Sequence, residues 1–253
     1  MNTALFWFRR DLRFDDNAGL FHALKSGLAV LPVFIFDTNI LHQLEDKQDK
    51  RVDLIHQRLT ELNSELQKHG SALLVKHGNP LEILPALCEQ FKVSQLFLNE
   101  DYEPDAIARD NEIRRMATAR NIAFHSFTDQ VIFARNQVFK SDATPYTVFT
   151  PYSRRWKSLL SETTIPAYNS EALFDNFYKY NSFTMPSLAE IDFEATGVSW
   201  KAPSLSDDVL KNYSETRNFP AVENGTSHLS VHLRFGTLSI RKMVQKALAT
   251  NEQ

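Results

Sequence analysis

Short apolar runs recur through the first half of the chain, and stretches with helical periodicity lie between them. Apolar runs of this length, bounded by polar or turn residues, are typical of strands buried in a parallel sheet. The sequence predicts five such strands, at Ala4–Phe8, Ala29–Phe36, Ala72–Lys76, Gln95–Asn99 and Ile122–Phe127.

The helix with the most regular pattern is predicted from Asp49 to His69, where apolar residues repeat every three or four positions. Gly70 provides its stop signal, because glycine readily adopts the left-handed conformation that ends many helices. A further helix is predicted to begin near Pro104, since proline is well tolerated in a first helical turn.

Another helix is predicted to start at Asn79-Pro80, a capping residue followed by proline, and Pro85 should kink it. Strands and helices thus alternate with short connections, which favours parallel strands joined by helical crossovers. The sequence therefore predicts an α/β domain over residues 1–130. We expect a doubly wound, Rossmann-like, five-stranded parallel sheet.

The periodic pattern stops after Phe127. Residues 131–203 are rich in Pro, Ser, Thr, Asn and aromatic residues, which favours a long connector with short helical pieces. Its aromatic residues are too numerous for a solvated linker, so we expect it to pack across the first domain. Helical periodicity returns near Ser206, but residues 204–253 are too few to bury a core of their own.

The formal net charge of -3 gives the whole molecule no attraction for polyanions, so any binding to nucleic acid must use a local basic patch. Such a cluster occurs between residues 131 and 160. Clusters of this kind are more often solvated surface than binding sites, and we do not assign this one to DNA. Its members are Arg135, Lys140, Arg154, Arg155 and Lys157.

Cys88 is the only cysteine, which excludes an intramolecular disulfide and a metal site built from cysteines. The sequence starts in an apolar strand, without a basic leader, and contains no apolar run long enough to cross a bilayer. We expect a cytoplasmic protein without a membrane partner.

Several motifs that would define a common enzyme class are absent. With seven glycines, the chain contains neither G-x-G-x-x-G nor a phosphate-binding G-x-x-x-x-G-K-[ST] loop. It also lacks H-E-x-x-H and G-x-S-x-G. These absences disfavour a classical dinucleotide dehydrogenase, a P-loop enzyme and a hydrolase.

The most informative stretch runs from Trp7 to Asn17, from the end of the first strand into the first helix. Ligands bind at such places in open α/β sheets. Taken singly, Asp16 or Asn17 suits a helix N-cap, and Asp11 would pair with neighbouring arginines. As a whole, W-F-R-x-D-L-R-x-x-D-N resembles the opening motif of the DNA photolyase and cryptochrome family.

A second match lies far downstream, in Y-x-x-x-R-[DN]-x-P from Tyr213, then T-S-x-L-S from Thr226, then a helix ending in F-G. Hydroxyls and unpaired backbone N–H groups at a helix N-terminus can bind phosphate. Taken alone, Thr226 and Ser227 would more often be helix caps. Weaker similarity to the same family lies in residues 99–104 and 148–152.

The resemblance implies light-driven repair of DNA containing pyrimidine dimers by a monomeric enzyme that holds FAD in an all-helical domain. It makes residues 204–253 the truncated start of that domain and places the residues beside the flavin ring beyond Gln253. Arg217 then contacts the DNA backbone, and Glu103 contacts an antenna chromophore, which is methenyltetrahydrofolate, a deazaflavin or a flavin. The residues matching the FAD-contacting motif are Tyr213, Thr226, Ser227, His228, Leu229 and Ser230.

His228 stands where the family often has arginine or glycine, while T-S followed by H-L-x-F-G favours enzymes for cyclobutane dimers. A cryptochrome-type blue-light receptor and an electron-transfer flavoprotein subunit remain open alternatives. Because Arg10, Asp11 and Glu103 all follow strands of one sheet, we expect them to converge on one crevice. An interdomain salt bridge is the structural alternative. We expect these 253 residues by themselves to hold FAD weakly and to repair nothing.

Overall fold

The computed structural model describes residues 2–199, 201–219 and 221–251. Its centre is a five-stranded sheet in which all neighbouring strands are parallel, in the order β3-β2-β1-β4-β5. The strands are β1 (Thr3–Phe8), β2 (Ala29–Asp37), β3 (Leu74–Gly78), β4 (Val93–Asn99) and β5 (Ala123–Phe127). The predicted α/β class and all five predicted strands are confirmed.

The strand bounds agree with the sequence to within one residue at β1, β2 and β5, whereas β4 begins two residues earlier and β3 begins and ends two residues later than predicted. Ser71 pairs in an isolated bridge with Lys179 instead of with the sheet. The backbone N–H of Leu73 donates to the Asn63 side chain, 2.9 Å away. Regular pairing with β2 therefore starts at Leu74.

The helices in the described ranges are α1 (Ala18–Leu24), α2 (Thr38–Leu41), α3 (Lys50–Lys68), α4 (Pro80–Gln90), α5 (Pro104–Ala119), α6 (Phe149–Glu162), α7 (Asp207–Thr216), α8 (Ser230–Phe235) and α9 (Ile240–Asn251). Two 3₁₀ turns lie at Glu171–Asn176 and Ala189–Ile191. The structure assigns α4 as one uninterrupted helix through Pro85.

Alternate residues of β1 point to opposite faces of the sheet, and both faces are covered. Phe6 and Phe8 pack in one core with apolar residues of α1 and α3. Leu5 and Trp7 pack in the other core with residues of α4 and α5. This arrangement is doubly wound, as a near-continuous apolar run in β1 requires.

The connector packs on the sheet mainly through its second half. Phe174 and Phe177 are buried in the core of α1 and α3, with ring centroids 5.2 and 5.9 Å from that of Phe14. The first half contains α6, a 14-residue helix without a buried residue. It is longer than the short helical pieces expected. Along it, Tyr152, Trp156 and Leu160 repeat at a helical interval of four.

The last two helices dock beside β1. The Leu12 N–H donates to the Phe235 carbonyl at 3.0 Å, and Phe235 is buried in the core of α1 and α3. Gly236 ends α8 in the left-handed conformation with φ 62°. A Cβ there would lie 2.1 Å from the Arg10 carbonyl oxygen, so only glycine allows this close approach.

Candidate cofactor crevice at the carboxyl ends of the strands

The strand order places a crevice between the carboxyl ends of β1 and β4. The chain proceeds from β1 through β2 to β3 on one side and then crosses to β4 and β5 on the other. Ligands of open α/β sheets bind at such a switch point. Residues 9–17 follow β1 and residues 100–103 follow β4, so both segments border the crevice.

Asn99, the last residue of β4, joins these segments. Its side-chain nitrogen donates to Asp11 at 2.6 Å and to Asn17 at 2.8 Å, while its oxygen accepts from the Gly19 N–H at 2.8 Å. Asn17 caps α1 by accepting from the Leu20 N–H at 3.1 Å. Of the two cap candidates, Asn17 is thus the one that serves.

The expected pairing of Asp11 with neighbouring arginine side chains is wrong. Asp11 is 2% exposed and accepts instead from the Arg9 backbone N–H at 2.7 Å and from Asn99. Burial raises the pKa of Asp11, and these two hydrogen bonds counter only part of that rise. Arg9 reaches across to Asp110, with 2.6 Å between Nη1 and Oδ1.

Arg10 and Glu103 meet at the rim of the crevice, with 2.8 Å between Nη1 and Oε1. Arg234 of α8 contacts the same oxygen at 2.6 Å. The hydrogen bond from Arg234 lowers the pKa of Glu103, and the charge of Arg10 lowers it further. Of the three residues expected to converge, Arg10 and Glu103 are in contact, while the Asp11 side chain is buried against Asn99. Glu103 also bridges to Arg234 in the C-terminal helices, whereas the alternative expected from the sequence was an interdomain salt bridge of an arginine-aspartate pair.

An unsatisfied indole and two guanidiniums, each paired with a carboxylate, lie at the ends of β1 and β2. Trp7 is 2% exposed, and its Nε1 has no hydrogen-bond partner among the described residues. The guanidinium carbons of Arg9 and Arg109 lie 5.1 and 5.0 Å from the Trp7 ring centroid. Burial lowers the pKa of Arg109, and the nearby charge of Arg9 lowers it further.

Trp7 and Arg109 were not predicted as site residues. In the sequence Trp7 reads as an ordinary core residue of a buried strand, and Arg109 as one of several charges on α5. Arg109 contacts Asp37 at the end of β2, with 3.4 Å between Nη1 and Oδ2. Across the described ranges, no cluster of three metal-binding side chains occurs.

The remaining charges of the opening motif are used to hold the C-terminal helices. Arg13 and Arg241 both contact Asp129, at 2.8 and 2.9 Å, and Arg241 Nε contacts Asp16 at 2.9 Å. The Ser239 hydroxyl donates to Asp16. All five residues are at most 4% exposed. We call this cluster the buried clamp.

The buried clamp balances two carboxylates against two guanidiniums. Burial would raise the pKa of Asp129, but the charges of Arg13 and Arg241 outweigh it and hold that pKa below its ordinary value. Breaking one partner of such a cluster leaves an uncompensated buried charge, which is strongly destabilising. Arg13 and Asp16 of the opening motif therefore fix the fold here.

The predicted FAD-contacting residues lie around the start of α8. The Thr216 hydroxyl donates to the Gly225 carbonyl at 2.6 Å, which brings the end of α7 next to Thr226. Tyr213 lies one turn earlier on α7 and is 45% exposed. His228 adopts a left-handed backbone conformation with φ 51°.

The capping interpretation of Thr226 and Ser227 is wrong. Leu229 occupies the N-cap of α8 and forms no side-chain cap bond. In the part of the chain that the structure describes, the hydroxyls of Thr226, Ser227 and Ser230 form no hydrogen bond. These three hydroxyls are therefore available to a ligand.

Arg217 lies at the C-cap of α7, and its backbone N–H donates to the Tyr213 carbonyl at 3.0 Å. Its side chain is exposed and forms no ion pair within the described ranges. The structure thus gives this guanidinium no internal task. Its role toward DNA stays a prediction.

Fold and site together define a doubly wound α/β protein whose switch-point loop is clamped to a set of C-terminal helices. Residues 4–170, more than half of the chain, match the DNA photolyase family. The chain therefore belongs to the DNA photolyase family. Among the described residues, no helix has both the length and the apolar character that a membrane span requires.

Individual relatives agree with this assignment. The chain is 29% identical to the deoxyribodipyrimidine photo-lyase of Synechococcus sp. (strain ATCC 27144 / PCC 6301 / SAUG 1402/1) over 98% of its own length and 54% of that protein. It is 30% identical to the Escherichia coli (strain K12) deoxyribodipyrimidine photo-lyase over 100% and 56%. The chain thus spans about half the length of these photo-lyases.

A relative of more similar length is an uncharacterized 31.6 kDa protein of Synechococcus sp. (strain PCC 6716), 32% identical over 94% of this chain and 86% of that protein. Among solved structures, the whole chain superimposes on 58% of a bacterial class III photolyase from Agrobacterium tumefaciens, with a TM-score of 0.75 at 22% identity. It superimposes on 56% of the Synechocystis sp. PCC6803 cryptochrome, with a TM-score of 0.79 at 22% identity. These two likenesses support the fold.

Proposed function

We propose that this chain supplies the antenna domain and the first part of the FAD-binding domain of a photolyase that splits cyclobutane pyrimidine dimers. The observation that carries the proposal is the contact between the two most specific motifs. The Leu12 N–H donates to the Phe235 carbonyl at 3.0 Å and Arg13 donates to the Gly236 carbonyl at 3.1 Å, while Arg10 and Arg234 share Glu103. The loop that borders the crevice thereby positions the segment that resembles the FAD-contacting motif.

The crevice beside β1 fits an antenna chromophore. The unpartnered Trp7 N–H is a buried donor, and such a group favours a ligand that can accept its hydrogen bond. The adjacent guanidiniums of Arg9 and Arg109 suit a planar, polar and electron-rich ring system. A folate, a deazaflavin and a flavin all meet this description. Glu103 at the rim is proposed to order the crevice through its two arginines.

The segment before α8 fits the diphosphate of FAD. Thr226, Ser227 and Ser230 offer three free hydroxyls, and Tyr213 offers a half-exposed phenol on the neighbouring helix. Hydroxyl donors bind and orient phosphate oxygens. Bound, reduced FAD supplies an electron to the dimer after excitation by blue light. The residues of this chain hold the cofactor and keep it at a fixed place relative to the crevice.

The proposed DNA contact is Arg217, whose exposed guanidinium can bind phosphate without reading sequence. Access of a cofactor to a dimer requires the damaged nucleotides to leave the stack, and weakened pairing at a lesion makes this step less costly.

We infer that the molecule acts as a cytoplasmic monomer.

The test uses the natural protein that carries this sequence, with dimer-containing DNA under blue light. The double substitution T226A/S227A removes two hydroxyls, so we expect less FAD retained through gel filtration and proportionally less dimer repair. The matched control is Thr250→Ala, since that hydroxyl only bonds the Lys246 carbonyl within α9.

Different outcomes separate the alternatives. Repair that is unchanged in T226A/S227A would contradict the proposed FAD contact. A protein that binds FAD but repairs no dimer would favour a blue-light receptor. An adenine nucleotide in the α/β domain without dimer repair would favour an electron-transfer flavoprotein. The 253-residue chain by itself is expected to lose added FAD on gel filtration, because ligand sites of this kind bury most of the ligand surface.

A further inference from the structure

A second cleft lies at the amino ends of the strands, at the opposite edge of the sheet from the cofactor crevice. Its volume is about 1030 Å³. It is bounded by the starts of β1 and β2, by β3, by the end of α4 and by the segment 178–183 that crosses this edge. Ligand pockets commonly measure about 300–1,000 Å³, so the cleft has room for a small molecule.

Aromatic rings form one wall of this cleft. Tyr180 and Phe183 stack with ring centroids 4.2 Å apart and planes inclined by 8°. Tyr178 lies 6.4 Å from Tyr180, and Phe91 closes the wall edge-on against Phe183. Tyr180 is 44% exposed, so part of its side chain faces the open side of the cleft.

This wall is held in place by backbone bonds to the sheet. The Tyr178 N–H donates to the Val30 carbonyl at 2.8 Å, and the Tyr180 N–H donates to the Gly70 carbonyl at 3.1 Å. The Ser71 hydroxyl donates to the Tyr178 carbonyl at 2.8 Å. A ligand stacking on this wall would therefore not have to order it, which lowers the free-energy cost of binding.

The charge of the cleft is positive. Lys76 and Lys92 both line it, and its described lining contains no carboxylate. Neither ammonium group forms an ion pair or a hydrogen bond within the described ranges. Lys92 is fixed by a left-handed backbone with φ 51°, at the turn between α4 and β4. An aromatic wall beside two unpaired cations matches a planar ring that carries a negative group.

We propose that this cleft binds a free nucleotide, with its base stacked on Tyr180 and its phosphate at Lys76 and Lys92. Base–aromatic stacking tolerates any base, because every base has a π-face. A single strand of nucleic acid would need a continuous basic groove for its backbone, whereas the described lining of this cleft supplies two lysines. The site lies at the other edge of the sheet and does not depend on the proposed repair function.

The experiment is a titration of the ¹⁵N-labelled 253-residue chain with AMP, followed by amide chemical shifts. We expect saturable shifts in residues 178–183 and 90–92. Tyr180→Ala should weaken binding about tenfold, whereas Tyr180→Phe keeps the ring and should retain the affinity. Lys92→Glu should weaken binding of AMP but not of adenosine, which lacks the phosphate.

Two matched controls lie on α6, where Tyr152 is 38% exposed and Lys157 is exposed. Tyr152→Ala and Lys157→Glu should leave the affinity for AMP unchanged. Absence of saturable shifts at millimolar AMP would overturn the proposal. So would shifts confined to residues 9–17 and 99–103, which would place the nucleotide in the cofactor crevice. If a short oligothymidylate binds more tightly than AMP, the ligand of the cleft is single-stranded DNA and the proposal of a free nucleotide is wrong.

Discussion

At the scale of single residues, Asp129 is the carboxylate on which the buried clamp depends most. It is 1% exposed and faces two guanidiniums, those of Arg13 and Arg241. Asp129→Asn keeps the size of the side chain but leaves only Asp16 to balance both cations. We expect the free energy of unfolding to fall by about 3–5 kcal/mol, measured by urea denaturation at neutral pH.

The pH dependence of this variant follows from the direction of the pKa shift. In the folded protein the pKa of Asp129 lies below its ordinary value of 3.8. Its contribution to stability is therefore fully present above pH 3.8 and is lost as the pH falls through the folded pKa. Asp129→Asn should show a weaker loss of stability over that acid range. Asp175→Asn, at an exposed carboxyl, should change stability by less than about 0.5 kcal/mol at neutral pH. Equal acid profiles for the wild type and Asp129→Asn would contradict the argument.

Individual residues were also where the sequence was least informative. Asn17 could be recognised as a cap because its partner lies three residues away. Arg241 could not be recognised as the partner of Asp16, because the two are separated by 225 positions and no local pattern connects them. Trp7 belongs to a buried strand, so nothing in the sequence distinguishes its unsatisfied N–H from an ordinary core indole.

At the scale of elements, the connector is half core and half surface. Phe177 is 1% exposed and packs against Phe14 and Phe174, while Phe149 at the start of α6 is 78% exposed. Phe177→Ala should lower the free energy of unfolding by about 3–5 kcal/mol, because it opens a cavity in the core. Phe149→Ala is the matched control and should change it by less than about 0.5 kcal/mol.

Chemical denaturation of both variants gives the comparison. Similar small losses would show that the connector does not belong to the cooperative unit of the sheet. A loss at Phe149 as large as that at Phe177 would show that α6 is packed in solution.

The strands were predictable because a parallel strand covered on both faces is apolar at nearly every position, and β1 is buried at all six. Helix α6 was missed for the opposite reason. Its apolar positions are diluted by Arg154, Arg155 and Lys157 and follow a segment without regular structure. Its 14 residues bury nothing, so a search for buried apolar runs does not find it.

At the scale of the whole molecule, Gly236 decides whether the C-terminal helices can dock. A Cβ there would lie 2.1 Å from the Arg10 carbonyl oxygen and 2.6 Å from the Asp11 Cα, and backbone atoms cannot move aside cheaply. In Gly236→Ala we expect α8 and α9 to detach while the sheet stays folded. Hydrogen exchange should then accelerate in residues 230–251 but not in β1 to β5.

Gly197→Ala is the control for backbone strain alone. Gly197 also has a positive φ, 71°, but a Cβ there would meet nothing within 4 Å. Its exchange pattern at residues 230–251 should match that of the wild type. Protected amides in α9 of Gly236→Ala would show that the loop after β1 can accommodate the extra methyl group.

The buried clamp also has a consequence for the synthesis of the chain. Asp16 and Arg13 leave the ribosome long before Arg241, which is made 225 residues after Asp16. At about 5–20 residues per second, that delay is on the order of tens of seconds. During this interval the nascent α/β domain can form its sheet while the charges of its first loop stay hydrated. The loop after β1 is thus one of the last parts of the chain to reach its final environment.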